Sequence, residues 1–230
     1  KDVILAPGIN VQRSPLCGRN FEYMSEDPKL IVEIAVPFIQ GIQENDVAAC
    51  VKHFAANNQE IERLWVDTYM DERTLNEIYL PGFYAATTKG NSYTLMGAYN
   101  RLFGEHCSES YHLLTKILRE DWRYDGTVIS DWGAVHNTKN AAESSLDIEM
   151  SVKNNFNEYC MANPLIKAIE NGEISEEHID KKVMNILRLM KRLKMIGEEK
   201  EERKSGTYNK PRHHEVVLDT ARESIVYPSS

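Results

Sequence analysis

The feature that most restricts the fold of this chain is the alternation of short β-type runs with helix signals. Five runs rich in branched and small apolar residues recur along the sequence, at residues 3–6, 49–54, 93–99, 127–131 and 146–150. Each is followed by a loop or by apolar residues at helical spacing. A helix between two strands returns the chain to the starting edge of the sheet, so such strands pair in parallel. The pattern therefore predicts an α/β fold with a parallel sheet.

The helices are indicated by capping residues and by apolar periodicity. Asp27, followed by a proline, predicts a helix start after the first run, and Pro37 predicts a kink within that helix. Asp71 predicts the cap of a second helix. Ser175 predicts the start of the longest helix, which should stop at Gly197. The apolar stripe predicted for this last helix consists of Ile179, Val183, Ile186, Leu187, Met190 and Leu193.

Composition argues against several classes of function. The 230 residues contain 27 Lys and Arg against 35 Asp and Glu, a net charge of −8, which predicts neither a nucleic-acid nor an anionic-membrane partner. No run reaches the roughly eighteen apolar residues of a membrane span. The four cysteines show no zinc-type spacing, which predicts reduced thiols and no metal site. Lys1 opens directly into a strand-like run and not into a signal peptide, which predicts a cytoplasmic protein. A leader preceding Lys1 would change the last expectation.

Polar residues follow three of the predicted strands at the point where each strand ends. Lys52 and His53 end the second run, Tyr99 ends the third, and Asp131 and Trp132 end the fourth. The carboxyl ends of parallel barrel strands meet at the edge where active sites form. A carboxylate beside an indole suits sugar chemistry, because the anion can attack an oxocarbenium-like centre while the indole stacks on the ring's C–H face.

Each of these residues also has a simpler interpretation. Asp131 could cap the following helix, Met96 in the third run could be plain core, and His53 could be a hydrogen-bonded structural histidine. Lys52 could also serve as the Schiff-base amine of an unrelated barrel such as an aldolase. Spacing alone leaves these alternatives open.

Four segments, in the same order, resemble the catalytic domain of glycoside hydrolase family 3. They are residues 15–28, residues 51–60, residues 96–100 and residues 128–135, the last reading Val-Ile-Ser-Asp-Trp-Gly-Ala-Val. Further likeness at 71–75 and 146–150 extends the resemblance over nearly the whole chain. It implies an α/β fold of (β/α)8 TIM-barrel type. The barrel is expected to be incomplete, because N-terminal strands and the family's second α/β sandwich domain find no counterpart here.

By this resemblance Asp131 is the nucleophile that forms a covalent glycosyl-enzyme intermediate. The resemblance also assigns substrate-binding roles, with Arg19, Lys52 and His53 on the sugar hydroxyls, Met96 and Tyr99 near the nucleophile, and Trp132 as an aromatic wall. It implies no cofactor. The expected substrate is a β-linked oligosaccharide or glycoside.

The general acid/base is not identified in this chain. In the β-glucosidase branch of the family it is a glutamate of the second domain, and a further sugar-binding aspartate lies ahead of the matched segments. The β-N-acetylglucosaminidase branch uses a His-Asp pair on a Gly-rich loop, but here that loop reads Phe-Ala-Ala-Asn-Asn-Gln-Glu, which disfavours that branch. The local carboxylates that could act instead are Glu22, Glu60, Glu105 and Glu109, and none is assigned.

Charge and periodicity also predict a division of the chain. Residues 1–197 are predicted to form the partial barrel, residues 198–212 a charged linker, and residues 213–230 a lead-in helix toward a second domain. The expected partners are the remaining parts of the enzyme or a second copy. The predicted function is a retaining, exo-acting β-glycosidase of β-glucosidase or β-xylosidase type. The alternative is a catalytically incomplete sugar-binding or structural fragment.

Lys52 and His53 pose a geometric problem, because both are assigned to one sugar. Adjacent residues on a regular strand point to opposite faces of the sheet. We therefore predict that the backbone departs from β geometry at residues 52–54, with one or two cis non-proline peptide bonds there.

Overall fold

A computed structural model describes residues 2–202, 206 and 208–225. These residues fall into two compact units, of which the first ends at Glu199 and the second begins at Lys200. The strands of the first unit are β1 Val3–Ile4, β2 Ala48–Phe54, β3 Asp67–Thr68, β4 Thr94–Gly97, β5 Arg101–Leu102, β6 Glu105–His106 and β7 Thr127–Ile129.

The main sheet has the order β1-β2-β4-β7, and every pairing in it is parallel. Its order follows the chain, with a helix packed between successive strands in most intervals. A smaller sheet, in the order β3-β5-β6, is built within the loops that follow β2 and β4. The predicted parallel α/β fold is confirmed.

The fifth predicted run, residues 146–150, does not form a regular strand. It joins the sheet beside β7 through one parallel bridge, between Ile129 and Ile148. Next to that bridge the side chain of Ser130 takes part, because its Oγ accepts a hydrogen bond from the Met150 backbone at 2.8 Å. This side-chain hydrogen bond thus takes the place of the next backbone hydrogen bond between the two segments.

The helices of the first unit cover this sheet. They are α1 Pro28–Gln43, α2 Glu72–Thr74, α3 Pro81–Thr88, α4 Thr138–Glu143, α5 Asn163–Glu170 and α6 Glu177–Arg192, with wider π-helical turns at Leu75–Tyr79 and His112–Asp121. In the core between sheet and helices, Phe54 of β2 meets Phe83 of α3 edge to face, with ring centroids 5.2 Å apart. Burying an aromatic side chain of this size contributes roughly 1.5–3 kcal/mol.

The predicted helix starts are confirmed at Asp27 and Asp71. Asp27 accepts a hydrogen bond from the Lys29 backbone, and Asp71 from that of Thr74, both at 2.8 Å. Helix α1 continues across Pro37. The second predicted helix is divided, however, because Pro81 has no backbone N–H to donate and starts α3 as a new helix.

The prediction for the last helix of this unit is partly wrong. Ser175 Oγ accepts from the Glu177 backbone at 3.3 Å, as a cap should, but α6 ends at Arg192 and not at Gly197. Lys194 already has a positive φ of 54°, so the chain reverses before the glycine. Helix α6 is also no longer than α1, at 16 residues each. Two of its predicted stripe residues, Val183 and Leu187, are exposed.

The second unit contains one helix, α7 Pro211–Glu223, among its described residues. The linker at 198–212 and the lead-in helix at 213–230 remain predictions, and residues 203–205, 207 and 226–230 of them lie outside the described part of the chain. None of the described helices combines the length and the apolar character needed to cross a bilayer. All four cysteines carry free thiols.

We expect the isolated 230-residue chain to self-associate. Leu30, Ile34 and Phe38 form an exposed apolar row on α1, and among the described residues the edge strand β1 pairs only with β2. An unpaired edge beside exposed apolar surface favours association. Analytical ultracentrifugation should show dimers or larger species, and Ile34→Lys with Phe38→Lys should shift them toward monomer. A stable wild-type monomer at micromolar concentration would contradict this prediction.

Candidate active site

The strand ends bring together residues that are far apart in sequence. Lys52 and His53 lie near the end of β2, Asp131 follows β7, and Arg19 comes from the loop after β1. His53 Nε2 lies 3.0 Å from Arg19 Nη2 and 3.6 Å from Asp131 Oδ2. The side chain of Tyr99, which follows β4, interacts with Asp131 and favours its charged form. Residues from three other segments, namely the loop after β1, the end of β2 and the end of β4, therefore surround the carboxylate of Asp131.

The backbone around His53 departs from regular β geometry. Cis peptide bonds occur at Lys52–His53 and at Phe54–Ala55, so the predicted non-proline cis bond at the first position is confirmed. Asn10 clamps this segment from the loop after β1. Its Oδ1 accepts from the His53 backbone N–H at 2.8 Å, and its Nδ2 donates to the His53 carbonyl at 2.9 Å.

The hydrogen bonds of His53 define its tautomer. Because a guanidinium can only donate, Arg19 requires a lone pair on His53 Nε2. The ring proton therefore sits on Nδ1, which lies 3.2 Å from the Tyr23 hydroxyl and donates to it. Burial, and then the positive charges of Arg19 and Lys52, hold the pKa of His53 well below its usual range. Neutral His53 thus contacts Asp131 without forming an ion pair.

Glu22 joins the two cations of the site. It accepts a hydrogen bond from Arg19 Nε and lies 3.2 Å from Lys52 Nζ. Burial opposes its ionisation, but the bond from Arg19 and the charge of Lys52 outweigh burial, and the pKa of Glu22 lies below its usual value. Glu22 therefore orients the two donors and is not free to act as an acid.

Asp131 is almost fully buried at the floor of this cluster. Its Oδ1 accepts from the Trp132 backbone N–H at 2.8 Å. Burial raises the pKa of Asp131, while the Trp132 N–H and the charge of Arg19 work in the opposite direction. The pKa of Tyr99 is raised to about 12, first by burial and then by the negative charge of Asp131. Asp131 is thus a buried carboxylate that is more basic than an exposed one, with one oxygen facing His53. These properties suit a nucleophile.

Two of the predicted binding residues occupy different environments. Trp132 is 51% exposed and can present its indole to a ligand, whereas Met96 is 2% exposed. Met96 packs in the interior of the sheet with Cys50 and Ile129. Its position is that of a core residue, and its contact with sugar remains a prediction.

Several residues of the site were not identified from the sequence. Asn10 and Tyr23 position His53, and Arg63 places its guanidinium 5.0 Å from the centre of the Tyr99 ring. Asn57, whose side chain donates to the Tyr23 hydroxyl at 3.1 Å, lies within the motif at 51–60 that carries Lys52 and His53. Tyr23 likewise lies within the motif at 15–28 that carries Arg19. Asn10 has no comparable signal, because its partner His53 lies more than 25 residues away in the chain.

The other acid candidates already have partners. Glu60 is paired with Arg63 at 3.1 Å, and Glu105 accepts from Ser110 Oγ at 2.6 Å. Glu109 is buried and accepts from two backbone N–H groups, of His136 and Asn137, both at 2.9 Å. Within the described residues there is no cluster of three His, Cys, Asp or Glu side chains that could hold a metal ion.

Comparison with known proteins places this arrangement in context. Residues 1–189 match the model of the glycosyl hydrolase family 3 N-terminal domain. The chain is 44% identical over 224 residues to thermostable β-glucosidase B of Acetivibrio thermocellus, covering 97% of this chain and 28% of that protein. It is 43% identical over 235 residues to β-glucosidase BoGH3A of Bacteroides ovatus, covering 98% and 31%.

The fold agrees with solved structures of similar proteins. β-Glucosidase 3B of Thermotoga neapolitana, in complex with α-D-glucose, superposes with a TM-score of 0.86 at 40% identity, over 96% of this chain and 31% of that one. Together with the parallel sheet, this likeness confirms the prediction of an α/β fold of TIM-barrel type. The chain spans about three-tenths of the length of the curated relatives described above.

Proposed function

The chain belongs to glycosyl hydrolase family 3, because residues 1–189 match the model of the family's N-terminal domain, and we propose that it carries the nucleophile half of a retaining, exo-acting β-glycosidase. The enzyme would release terminal β-linked glucose or xylose through a covalent intermediate on Asp131. The names of the β-glucosidases that it resembles support this substrate class. An aldolase that uses Lys52 as a Schiff-base amine has no support from those relatives.

One observation carries the proposal, namely the placement of Asp131 against His53, Arg19 and Tyr99. The carboxylate is buried beside the Trp132 backbone N–H and the Tyr99 side chain, and Arg19 with Lys52 adds positive charge on one side. Charged donors that are desolvated in this way discriminate strongly between sugars, because a missing hydroxyl leaves a buried donor unpaired. The geometry therefore supports recognition of one sugar ring directly over the nucleophile.

The proposed reaction has two displacement steps. A carboxylate oxygen of Asp131 attacks the anomeric carbon while the bond to the leaving oxygen breaks, and that oxygen takes a proton from the general acid. Water then attacks the same carbon from the other side, loses a proton to the conjugate base and releases Asp131. During both steps Tyr99 and the Trp132 N–H stabilise the carboxylate when it carries its charge.

The stereochemical course tests this mechanism. Proton NMR of the complete enzyme acting on an aryl β-glucoside should show the β-anomer of glucose first, with α-glucose appearing only through mutarotation. Early release of the α-anomer would contradict a retaining mechanism. With cellotetraose as substrate, glucose rather than cellobiose should be the first product, since an exo-acting enzyme removes single terminal sugars.

The behaviour of the isolated chain distinguishes the proposed glycosidase from the alternative, a sugar-binding or structural fragment. We expect the 230-residue chain to cleave dinitrophenyl β-glucoside slowly and to fail on cellobiose. Each candidate carboxylate described above has other partners, and general acid assistance is worth roughly 10²- to 10⁴-fold for a poor leaving group. A dinitrophenolate leaves without a proton.

The assay compares both substrates on the purified chain, with Asp131→Asn as the matched control. Efficient cleavage of cellobiose would show that a glutamate within this sequence serves as the acid. Absence of any turnover above the Asp131→Asn level on the activated substrate would favour the fragment.

A further inference from the structure

The hydroxyl of Tyr23 is a buried polar group beside the candidate site that the reaction at Asp131 does not use. Tyr23 is 5% exposed, and its ring meets that of His53 edge to face. The hydroxyl lies 3.2 Å from His53 Nδ1, 3.3 Å from the backbone carbonyl oxygen of Asn57 and 3.1 Å from Asn57 Nδ2. Asn57 and His53 are as buried as Tyr23, so these groups can satisfy only one another.

The partners of this hydroxyl leave it a single role toward His53. A phenol carries one proton, which here goes to the Asn57 carbonyl. Asn57 Nδ2 donates to the same oxygen, so the oxygen can only accept from His53, and Nδ1 bears the ring proton. Arg19, which donates on the other side of the ring, independently requires a lone pair on Nε2. Both neighbours of the imidazole therefore select the same tautomer.

The tautomer decides what the nucleophile meets. His53 Nε2 lies 3.6 Å from Asp131 Oδ2, and without a proton it offers that oxygen no hydrogen bond. In the opposite tautomer Nε2 would carry an N–H that faces Oδ2. A hydrogen bond from an N–H to a carboxylate is charge-assisted and strong, so it would stabilise Asp131 before attack. It would also turn two donors, of Arg19 and His53, toward each other.

We propose that Tyr23 is a positioning residue that keeps His53 in its Nδ1–H form, so that Asp131 Oδ2 stays available for attack on the anomeric carbon. The proposal rests on the function proposed above. In Tyr23→Phe the Nδ1–H would lack an acceptor, and a buried donor without a partner is unfavourable. The ring should then lose its proton at Nδ1 and gain one at Nε2, with no change in charge, because Asp131 Oδ2 can accept a hydrogen bond there.

The two chemical steps should respond to that new donor in opposite ways. Attack by Asp131 is slowed, because the hydrogen bond weakens as the carboxylate becomes an ester. Departure of Asp131 from the covalent intermediate is assisted, because the donor stabilises the carboxylate that is released. On p-nitrophenyl β-glucoside, kcat/KM of the complete Tyr23→Phe enzyme should fall roughly ten- to hundredfold, the equivalent of one buried hydrogen bond. Enzyme trapped as the 2-fluoroglucosyl ester should reactivate no more slowly than wild type, whereas general damage to the site would slow both steps.

The tautomer itself is measured by solid-state NMR of the complete enzyme labelled at histidine with ¹³C and ¹⁵N, with His53→Gln identifying the His53 signals. Nδ1 should be the protonated ring nitrogen in wild type, and Nε2 in Tyr23→Phe. Tyr124→Phe is the matched control, because Tyr124 is similarly buried, at 6%, and its hydroxyl has no hydrogen-bond partner within the described residues. This control should keep the wild-type tautomer and change neither step by more than about twofold.

A second variant removes the neighbour but keeps the hydroxyl. Asn57→Ala retains the backbone carbonyl that takes up the proton of Tyr23, so His53 should keep its proton on Nδ1. Loss of the Nδ1–H form in this variant would show that packing, and not the Tyr23 hydroxyl, selects the tautomer.

The outcomes separate the two proposals. An active wild type with its His53 proton on Nε2 would overturn the role of Tyr23 alone, and this spectrum decides even where Tyr23→Phe fails to fold. A folded Tyr23→Phe enzyme that keeps the Nδ1 proton, or that is slowed equally in both steps, would do the same. A wild type that releases no p-nitrophenol and forms no covalent intermediate would refute the proposed glycosidase, and the role of Tyr23 in it.

Discussion

Replacement of Asp131 by Asn should reduce glycoside hydrolysis by the complete enzyme by roughly 10⁴- to 10⁶-fold, the loss typical of removing a central catalytic group. The substituted amide keeps the shape of the carboxylate but cannot form the ester with the anomeric carbon. The proposed contacts of Arg19, Lys52 and His53 with the sugar are left in place. Binding of glucose, measured by calorimetry, should therefore change far less than turnover.

Covalent trapping gives the direct measurement. A 2-fluoro β-glucoside with a good leaving group should label the wild-type enzyme at the peptide that contains Asp131, and mass mapping locates the modified residue. The Asp131→Asn enzyme serves as the unlabelled control. Label on any other carboxylate would refute the assignment of the nucleophile.

The same substitution should not lower stability near neutral pH. Burial raises the pKa of Asp131, so the folded state disfavours its charged form. A raised carboxyl pKa contributes stability below the unfolded value of about 3.9, and that contribution is lost as pH rises through the higher folded value. The melting temperature of Asp131→Asn should therefore be no lower than that of wild type at pH 7. Any excess over wild type should decrease as the pH is lowered. A much lower melting temperature of the variant at pH 7 would mean that the negative charge of Asp131 stabilises the fold.

Replacement of Lys182 by Met should destabilise the first unit by about 3 kcal/mol or more. Lys182 is 4% exposed, and its ammonium donates to the carbonyls of Ala141, Ser144 and Leu146 at 3.0, 2.8 and 2.6 Å. Burial lowers the pKa of Lys182 to about 8, so it still carries its proton at pH 7. Met retains much of the stem but removes the donor shared by these carbonyls; Ala141 keeps a bond from Ser144 Oγ at 3.4 Å, whereas the Ser144 and Leu146 carbonyls lose their partner, at roughly 1–3 kcal/mol each.

Urea denaturation followed by circular dichroism measures this loss. Lys181→Met is the matched control, because the neighbouring lysine is exposed and its replacement should change the free energy of unfolding by no more than about 0.5 kcal/mol. Equal effects of the two substitutions would show that the buried bonds of Lys182 contribute nothing. Activity should fall together with stability, since residues 141–146 lead into Met150, whose carbonyl accepts from the Gly133 backbone beside Asp131 at 2.7 Å.

Local signals in the sequence were sufficient for much of this architecture. The caps at Asp27 and Asp71 could be predicted because a short polar side chain bonds the backbone two or three residues ahead. The parallel sheet could be predicted because the alternation of strands and helices leaves few other connections. Asp131, Lys52 and His53 could be singled out for the same reason, since the topology brings strand ends to one edge.

The tertiary structure alone decided how these residues work together. The tautomer of His53 depends on Arg19 and Tyr23, its backbone on Asn10, and none of these contacts leaves a periodic trace in the sequence. Met96 was assigned to the site by resemblance; the structure buries it in a cluster with Cys50 and Ile129, and its contact with sugar stays a prediction. Helix α6 ends at Arg192, before Gly197. Lys182 is buried on the face of α6 where an apolar stripe was predicted, because its ammonium binds backbone carbonyls in and after α4. Hydrogen bonds formed between distant segments depend on where the completed fold places their donors and acceptors, and no local pattern records that position.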